Sequence, residues 1–428
     1  MVDVSLQLRS FIGLFLLAAI AWLLGPRKRV PVALLLGAIG LQLGLTWLLY
    51  TAPPFRAFLT SLTGVVEVLQ QITDEGAQFV FGYLAGSEAP WIPNPDAAPG
   101  SAFLFAFQAL PMVIVLSALS ALLWRWRVLE LLVQGFALAF RRLLNLSGAA
   151  SLGAAANIFL GMTESPVLIR PRLPDMSRSD LFLIMTVGFS TVAGSVMAVY
   201  VTFLSGVIED AAGHIFTASL ISIPAAVLLA RLMMPPEGES EEAKSREKIP
   251  QTIYQSSMDA LTTGVSDGMR LYFNIIFMLL VFTSLVALVN VLLGVFPDFA
   301  GAPLSVDRIL GWVFAPIVWL AGIPWNEANA AGALMGLKTA LNELIAYGRL
   351  AEVSDELSPR TSLIMTYAIC GFANFSSIGI LTGGLVAIAP SRREDILQLA
   401  PRALISGTLA TLMTGAAVGV MPMSMFGL

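Results

Sequence analysis

Eight runs of about twenty residues in this chain carry almost nothing but apolar side chains, and that is the length an α-helix needs to cross a bilayer. They lie at roughly 6–24, 30–50, 103–124, 181–206, 212–233, 272–295, 361–386 and 400–424. Of the 428 residues, 57% are hydrophobic and 12% are charged, whereas about a quarter of a soluble domain is charged. The expected class is an all-α polytopic membrane protein with no separate soluble domain. One cysteine, Cys370, excludes an intrachain disulfide and a thiolate cluster within one chain. One histidine, His214, excludes a multi-histidine metal site. No small-residue cleavage signature follows the first run, so it is expected to be a retained span and not a signal peptide.

The net charge of −4 matters less than where the charges fall. Arg27, Lys28 and Arg29 follow the first run. Arg125, Arg127, Arg141 and Arg142 follow the third, and Arg170, Arg172 and Arg178 precede the fourth. Arg231, Lys244, Arg246 and Lys248 follow the fifth, and Arg392 and Arg393 follow the seventh. The alternate connections are acidic: residues 51–100 set Arg56 against Glu67, Asp74, Glu75, Glu88 and Asp96, and Glu209 and Asp210 follow the fourth run. This alternation predicts eight transmembrane helices with both termini outside.

Two regions resist that pattern. Residues 128–166 and 308–347 are apolar but interrupted by Gly, Asn, Thr, Lys and Glu, and each must return to the side it came from. Both are expected to be re-entrant helical hairpins of opposite orientation, since irregular backbone at depth is tolerated only under protein or beside a water-filled cavity. Residues 57–88 and 251–270 are amphipathic and are expected to lie along the interface. Residues 234–250 read as a polar linker on the inside. Hairpin, span and span (128–233) then recur as hairpin, span and span (308–424), an inverted repeat of the kind that builds secondary transporters. The expected units are 1–102 (N-terminal scaffold spans), 103–233 (first repeat), 234–307 (linker, interfacial helix and scaffold span) and 308–428 (second repeat).

The polar residues inside apolar sequence are the candidates for chemistry. Glu164 and Glu343 place one carboxylate in each hairpin, and a carboxylate at membrane depth is rarely retained without a task. Lys338 is the alternative, purely structural partner for Glu343. Asn374 and Ser377, three residues apart, are expected on one helical face, where they offer donors and acceptors to a hydroxylated solute. Phe372 offers a ring for stacking. Asn157, Leu160, Thr191 and Val192 form a candidate sodium site of amide, hydroxyl and carbonyl oxygens exposed by an unwound helix. His214 is expected at the outer interface, Trp91, Trp124, Trp126 and Trp325 in aromatic belts, and Arg170 and Arg172 as topology determinants.

At these residues the chain resembles the concentrative nucleoside transporter family. The first hairpin carries Gly161-Met162-Thr163-Glu164-Ser165-Pro166, similar to the family's Gly-Gln-Thr-Glu-small-Pro. The fourth span carries Ala193-Gly194-Ser195-Val196, the second hairpin Asn342-Glu343, and the seventh span Gly371-Phe372-Ala373-Asn374-Phe375-Ser376-Ser377. The match runs from about residue 103 to the end. The resemblance implies a homotrimer in a bacterial inner membrane, with a mobile part that moves like an elevator against a scaffold. It implies that Met162, Thr163 and Glu164 address the nucleobase, with Val196 and Phe372 packing on it, and that Glu343, Asn374 and Ser377 hold the ribose. It places sodium at Asn157, Leu160, Thr191 and Val192. Two positions depart from the pattern: Thr191 replaces a usual Ser, keeping the hydroxyl, and Met162 replaces the usual Gln. Met at that place resembles the purine-preferring branch.

The expected function is therefore sodium-driven import of nucleosides, purine nucleosides favoured, with proton coupling or another nucleoside-like solute as the alternatives. One cation falling through 100 mV releases about 2.3 kcal/mol, enough for roughly fifty-fold accumulation. An intramembrane enzyme using the two carboxylates lacks any clustered histidines, metal-binding spacing or nucleophile motif; a passive channel or a receptor is the third class, and uptake against a gradient would exclude a channel. No nucleic-acid partner is expected.

Overall fold

The computed structural model describes residues 2–88, 90, 103–236, 254–299 and 301–428. Trp91, Asp96 and most of the expected linker, 237–250, lie outside the described residues. Hydrocarbon offers backbone N–H and C=O groups no partner, so apolar runs close their hydrogen bonds internally. Accordingly the described residues form helices and no strands. The chain opens with α1 (Val2–Leu24), α2 (Val32–Thr51) and the amphipathic α3 (Pro53–Phe81), then a short α4 (Phe105–Gln108) and α5 (Pro111–Arg125). Next come α6 (Val128–Leu144), α7 (Gly148–Ala156), a 3-10 turn (Ser165–Ile169), α8 (Arg178–Ser190), α9 (Gly194–Leu204) and α10 (Ala211–Met233). The second half holds α11 (Ser257–Leu293), α12 (Val306–Leu320), α13 (Trp325–Ala340), α14 (Glu343–Val353), α15 (Pro359–Ile369), α16 (Phe375–Ile388) and α17 (Arg393–Val420).

The inverted repeat is legible element by element. An amphipathic helix, a hairpin limb, a returning limb, a helix broken in two and a long helix occur as α6, α7, Ser165–Ile169, α8 with α9, and α10. They recur as α12, α13, α14, α15 with α16, and α17. Both hairpins are shorter than the sequence suggests. Residues 128–144 form a separate helix that buries Leu129, Val133, Phe140 and Leu144 and exposes Leu131, Leu132, Leu138 and Leu143. Leucines on both faces conceal that amphipathicity. Asn145, at φ 51, ends α6, and the Ser147 hydroxyl caps α7 by accepting from Ala150 N at 3.3 Å. All nine residues of α7 are buried. In the second repeat the chain bends by 118° between α12 and α13, and the hairpin tip is Leu341 and Asn342, between α13 and α14.

Residues 251–270 are not a separate interfacial helix where described. From Ser257 they belong to α11, which runs unbroken for 37 residues. At 1.5 Å per residue it is about 55 Å long, well beyond the roughly 30 Å of hydrocarbon. It packs chiefly on α5, where Gly264 and Gly268 let the two backbones meet. A Cβ on either would lie 2.7 Å from an α5 Cα, of Ala118 or Ile114. Such small-residue contacts suit membrane helices, which gain little from apolar burial against lipid. α1 and α2 pack against α10 and α17.

The expected fourth and seventh spans are each broken, α8 from α9 at residues 191–193 and α15 from α16 at residues 370–374. Their window hydropathy stays high through the breaks, which is why they read as continuous.

Candidate functional site

The two breaks cross each other. Phe372 N donates to the Thr191 carbonyl at 3.3 Å. Gly371 has φ 152, and a Cβ there would lie 3.0 Å from the Phe189 carbonyl oxygen and 2.6 Å from Thr411 Cγ2. The first hairpin tip is tied to the same place, since Gly194 N donates to the Phe159 carbonyl at 3.2 Å. Each restarted helix brings its N-terminus, with its partial positive charge, to the crossing.

Side-chain caps fix the N-termini of α14 and α16, whereas α9 starts after Ala193 without one. Asn342 Oδ1 accepts from Ile345 N at 3.0 Å and starts α14. Asn374 Oδ1 accepts from Ser377 N at 2.8 Å and from Ser376 Oγ at 2.7 Å and starts α16. The expected placement of Asn374 and Ser377 on one helical face is thereby corrected: Asn374 is extended, at φ −143 and ψ 164, and caps the helix that contains Ser377.

Glu343 is the first residue of α14 and is 6% exposed. Its Oε1 accepts from Tyr200 OH at 2.7 Å and its Oε2 from Asn374 Nδ2 at 2.9 Å. Lys338 turns elsewhere, donating to Thr411 Oγ1 at 2.7 Å and to the Ala368 carbonyl at 3.3 Å. Glu164 is open to the cavity, and its Oε2 accepts from Gly161 N at 3.3 Å.

These groups surround a cavity of about 390 Å³, within the usual range for small ligands, about 300–1,000 Å³. All eight expected substrate residues line it: Met162, Thr163, Glu164, Val196, Glu343, Phe372, Asn374 and Ser377. One wall was missed. α11 contributes Asp267, Arg270, Leu271, Asn274, Ile275 and Met278. Their spacing of three and four marks one helical face, but a boundary set at residue 270 cut the stripe in two. Tyr200, the donor to Glu343, also gave no signal, because a tyrosine within an apolar helix reads as core.

The expected ion-site residues fall on the first hairpin and on the break after α8, which the Gly194 N–H bond to the Phe159 carbonyl joins. Asn157 is 1% exposed; its Nδ2 donates to the Gly153 carbonyl at 3.0 Å, and its Oδ1 is buried without a protein partner. Thr191 gives its hydroxyl proton to the Val187 carbonyl at 2.9 Å, which leaves the oxygen lone pairs directed away from that bond. Leu160 belongs to the hairpin turn and Val192 to the break in the same crossing. An orphaned amide oxygen, a hydroxyl oxygen and unwound carbonyls form a donor set that fits a hard monovalent cation such as sodium.

Two bland assignments change. His214 is 2% exposed, not interfacial: its Nδ1 lies 2.8 Å from Tyr50 OH and 2.9 Å from Tyr367 OH. Trp124 is buried at 6% exposure, whereas Trp126 and Trp325 are exposed.

Comparison with known proteins agrees with this geometry. Residues 12–84 and 214–419 match the N-terminal and C-terminal descriptions "Na+ dependent nucleoside transporter", and residues 106–206 match "Nucleoside recognition". The nucleoside permease NupC of Helicobacter pylori is 34% identical over 422 residues, covering 97% of both chains. An uncharacterized transporter of Bacillus subtilis, YutK, is 35% identical over 414 residues, 96% of this chain and 98% of that one. Solute carrier family 28 member 3 of Rattus norvegicus is 35% identical over 97% of this chain and 59% of its own length. Among solved structures, CNTnw in an inward-facing substrate-bound state superposes with a TM-score of 0.87 at 33% identity, covering 97% of both chains. An intermediate state of a CNTnw variant superposes equally well, at 0.87, with 33% identity over 97% of this chain and 99% of that one. The chain thus belongs to the concentrative nucleoside transporter family, whose members are elevator-type membrane transporters and not enzymes.

Proposed function

We propose that this protein imports nucleosides, purine nucleosides favoured, by coupling them to sodium. The observation that carries the coupling is the buried, unpartnered Oδ1 of Asn157 at the end of α7, in the hairpin that the Gly194 to Phe159 bond ties to the break after α8. Sodium would be held there by the Asn157 and Thr191 side chains and the Leu160 and Val192 carbonyls, and would supply positive charge that neutralises this helix end. In the cavity, Thr163 and Glu164 address the base, and Val196 and Phe372 pack on it. Glu343, Asn374 and Ser377 bind ribose hydroxyls. The apolar length of α11, unburied within the chain, leaves a surface for lipid or for further copies of the chain, in keeping with a homotrimer in a membrane, and the alternation of charge supports both termini outside.

Uptake of labelled adenosine and uridine into proteoliposomes tests the reading, under an inward sodium gradient and then an inward proton gradient. Sodium-driven uptake favouring adenosine is the expected result. Proton-driven uptake would remove sodium from Asn157, and uptake of neither nucleoside would remove the substrate assignment. Asn157→Leu keeps the volume but deletes the orphaned oxygen. We expect the sodium concentration for half-maximal uptake to rise at least about tenfold, roughly one lost charged contact.

Met162 lines the cavity while burying most of its side chain, and its Cβ sits so close to Gly188 that a Cβ there would crowd it at 3.1 Å. A thioether suits the larger apolar face of a purine, whereas an amide bonds a base edge. Met162→Gln should therefore shift the adenosine-to-uridine ratio of kcat/KM toward uridine by about tenfold, one net hydrogen bond. Competition between the two labelled nucleosides measures it, and an unchanged ratio would sink the assignment.

A further inference from the structure

Lys338 takes no part in the cavity lining, yet it is 0% exposed. An ammonium at membrane depth requires strong local compensation. Its donors go to Thr411 Oγ1 and to the carbonyl of Ala368. Ala368 lies in the last turn of α15, where carbonyls without helical partners carry partial negative charge.

The inverted repeat supplies the counterpart of this arrangement. In the first repeat, the end of limb α7 brings Asn157, and the broken end of α8 brings Thr191 and Val192. α10 brings Ser219, whose Oγ accepts from Val192 N at 3.4 Å. In the second repeat, the end of limb α13 brings Lys338, the broken end of α15 brings Ala368, and α17 brings Thr411. The same three elements occur in the same order: α7 and α10 each pack on α8, as α13 and α17 each pack on α15. The limb end of the first repeat carries a buried amide oxygen without a protein partner; the limb end of the second carries a buried ammonium bonded to the other two elements.

We propose that the Lys338 ammonium is a built-in cation, standing in the second repeat where the coupling ion stands in the first. The pseudo-symmetry offers two cation places, and a covalently attached amine occupies one. Lys338 is a positioning residue: it holds the end of α15 and, through it, the crossing that presents Phe372 and Asn374. The coupling role of the first place rests on the sodium reading above, but the occupancy of the second place does not.

Shortening the side chain should open that place to a free small cation. The experiment uses full-length protein in lipid nanodiscs and proteoliposomes, as wild type, Lys338→Ala and Lys338→Met. Melting midpoint and nucleoside uptake are followed against sodium, potassium and ethylammonium at constant ionic strength. Lys338→Ala should lose at least about tenfold in uptake, the loss expected for a charged hydrogen-bonding group. Ethylammonium should restore both readouts in this variant and leave wild type unaffected. If sodium also enters, its Hill coefficient should rise from about 1 toward about 2, the number of sites. Lys338→Met fills the space without charge, so it should be impaired and unresponsive to ethylammonium. Wild-type behaviour of Lys338→Met, or no response of Lys338→Ala to any small cation, would overturn the proposal. Where neither variant folds, Lys338→Arg and Lys338→Gln decide by gel filtration. A folded Arg and misfolded Gln protein supports a needed charge, and equal behaviour of the two overturns it. A wild type indifferent to sodium would remove the coupling reading of Asn157, and ethylammonium rescue would still decide the role of Lys338.

Discussion

Replacing Glu343 with glutamine should lower nucleoside uptake by about 100-fold while leaving the protein folded. The carboxylate accepts two hydrogen bonds, from Tyr200 OH and Asn374 Nδ2, in a site that is 6% exposed. An amide of the same shape accepts one of them and turns an N–H toward the other donor. Hydrogen bonds to charged groups contribute about 1.5–3 kcal/mol each, and an unmatched buried donor costs about 1–3 kcal/mol. A combined loss near 3 kcal/mol corresponds to about two powers of ten. Tyr200→Phe separates the two bonds: it deletes one donor without creating a clash of donors, and about a tenfold loss is expected. Initial rates in proteoliposomes, normalised to protein recovered in the lipid, provide the measurement. Full-rate uptake by Glu343→Gln would take Glu343 out of the recognition of substrate.

Gly371→Ala should have the other large effect, on assembly and not only on rate. The new Cβ would meet Thr411 Cγ2 at 2.6 Å and the backbone of Phe189 and Ser190 at 3.0 Å, and φ 152 disfavours any side chain. Backbone strain of this kind costs about 1–3 kcal/mol, and overpacking adds about 1–3 kcal/mol. Relief requires the crossing to part, which breaks the Phe372 N–H bond to Thr191. We expect a markedly lower melting midpoint in detergent and loss of nucleoside-dependent stabilisation. A Gly371→Ala protein that melts with wild type would show that the crossing yields without penalty.

Much of this site was readable because its chemistry is conspicuous against an apolar background. Glu164, Glu343, Asn157 and Asn374 stand out at membrane depth, and each lies at a hairpin tip or helix break. The breaks themselves were not readable. Apart from Thr191 and Asn374, residues 191–193 and 370–374 are small or apolar, and hydropathy does not register that their backbone groups bond across the molecule instead of along a helix. The boundary between α6 and the first hairpin failed for a related reason: its signal is one serine cap and one asparagine at positive φ, which is easily lost among leucines. α11 was divided because its first half is amphipathic and its second uniformly apolar, as its two surroundings require: the cavity and α5 for one half, the apolar surface for the other.

The cavity has walls of two kinds. The eight cavity-lining residues expected to recognise the solute sit on hairpins and broken helices knotted together by caps and by the Phe372 to Thr191 bond. The remaining wall is α11, a rod of about 55 Å that leans on α5 and is scarcely packed against those hairpins. When an elevator moves, the first kind of wall keeps its company and the second is exchanged for a different stretch of rod. On the proposed assignment, the identity of the cargo is decided by parts that travel with it. What differs between the two faces of the membrane is only the surface it is released past, so changes at Arg270 or Asn274 should alter how fast the cargo leaves on one side more than which cargo is chosen.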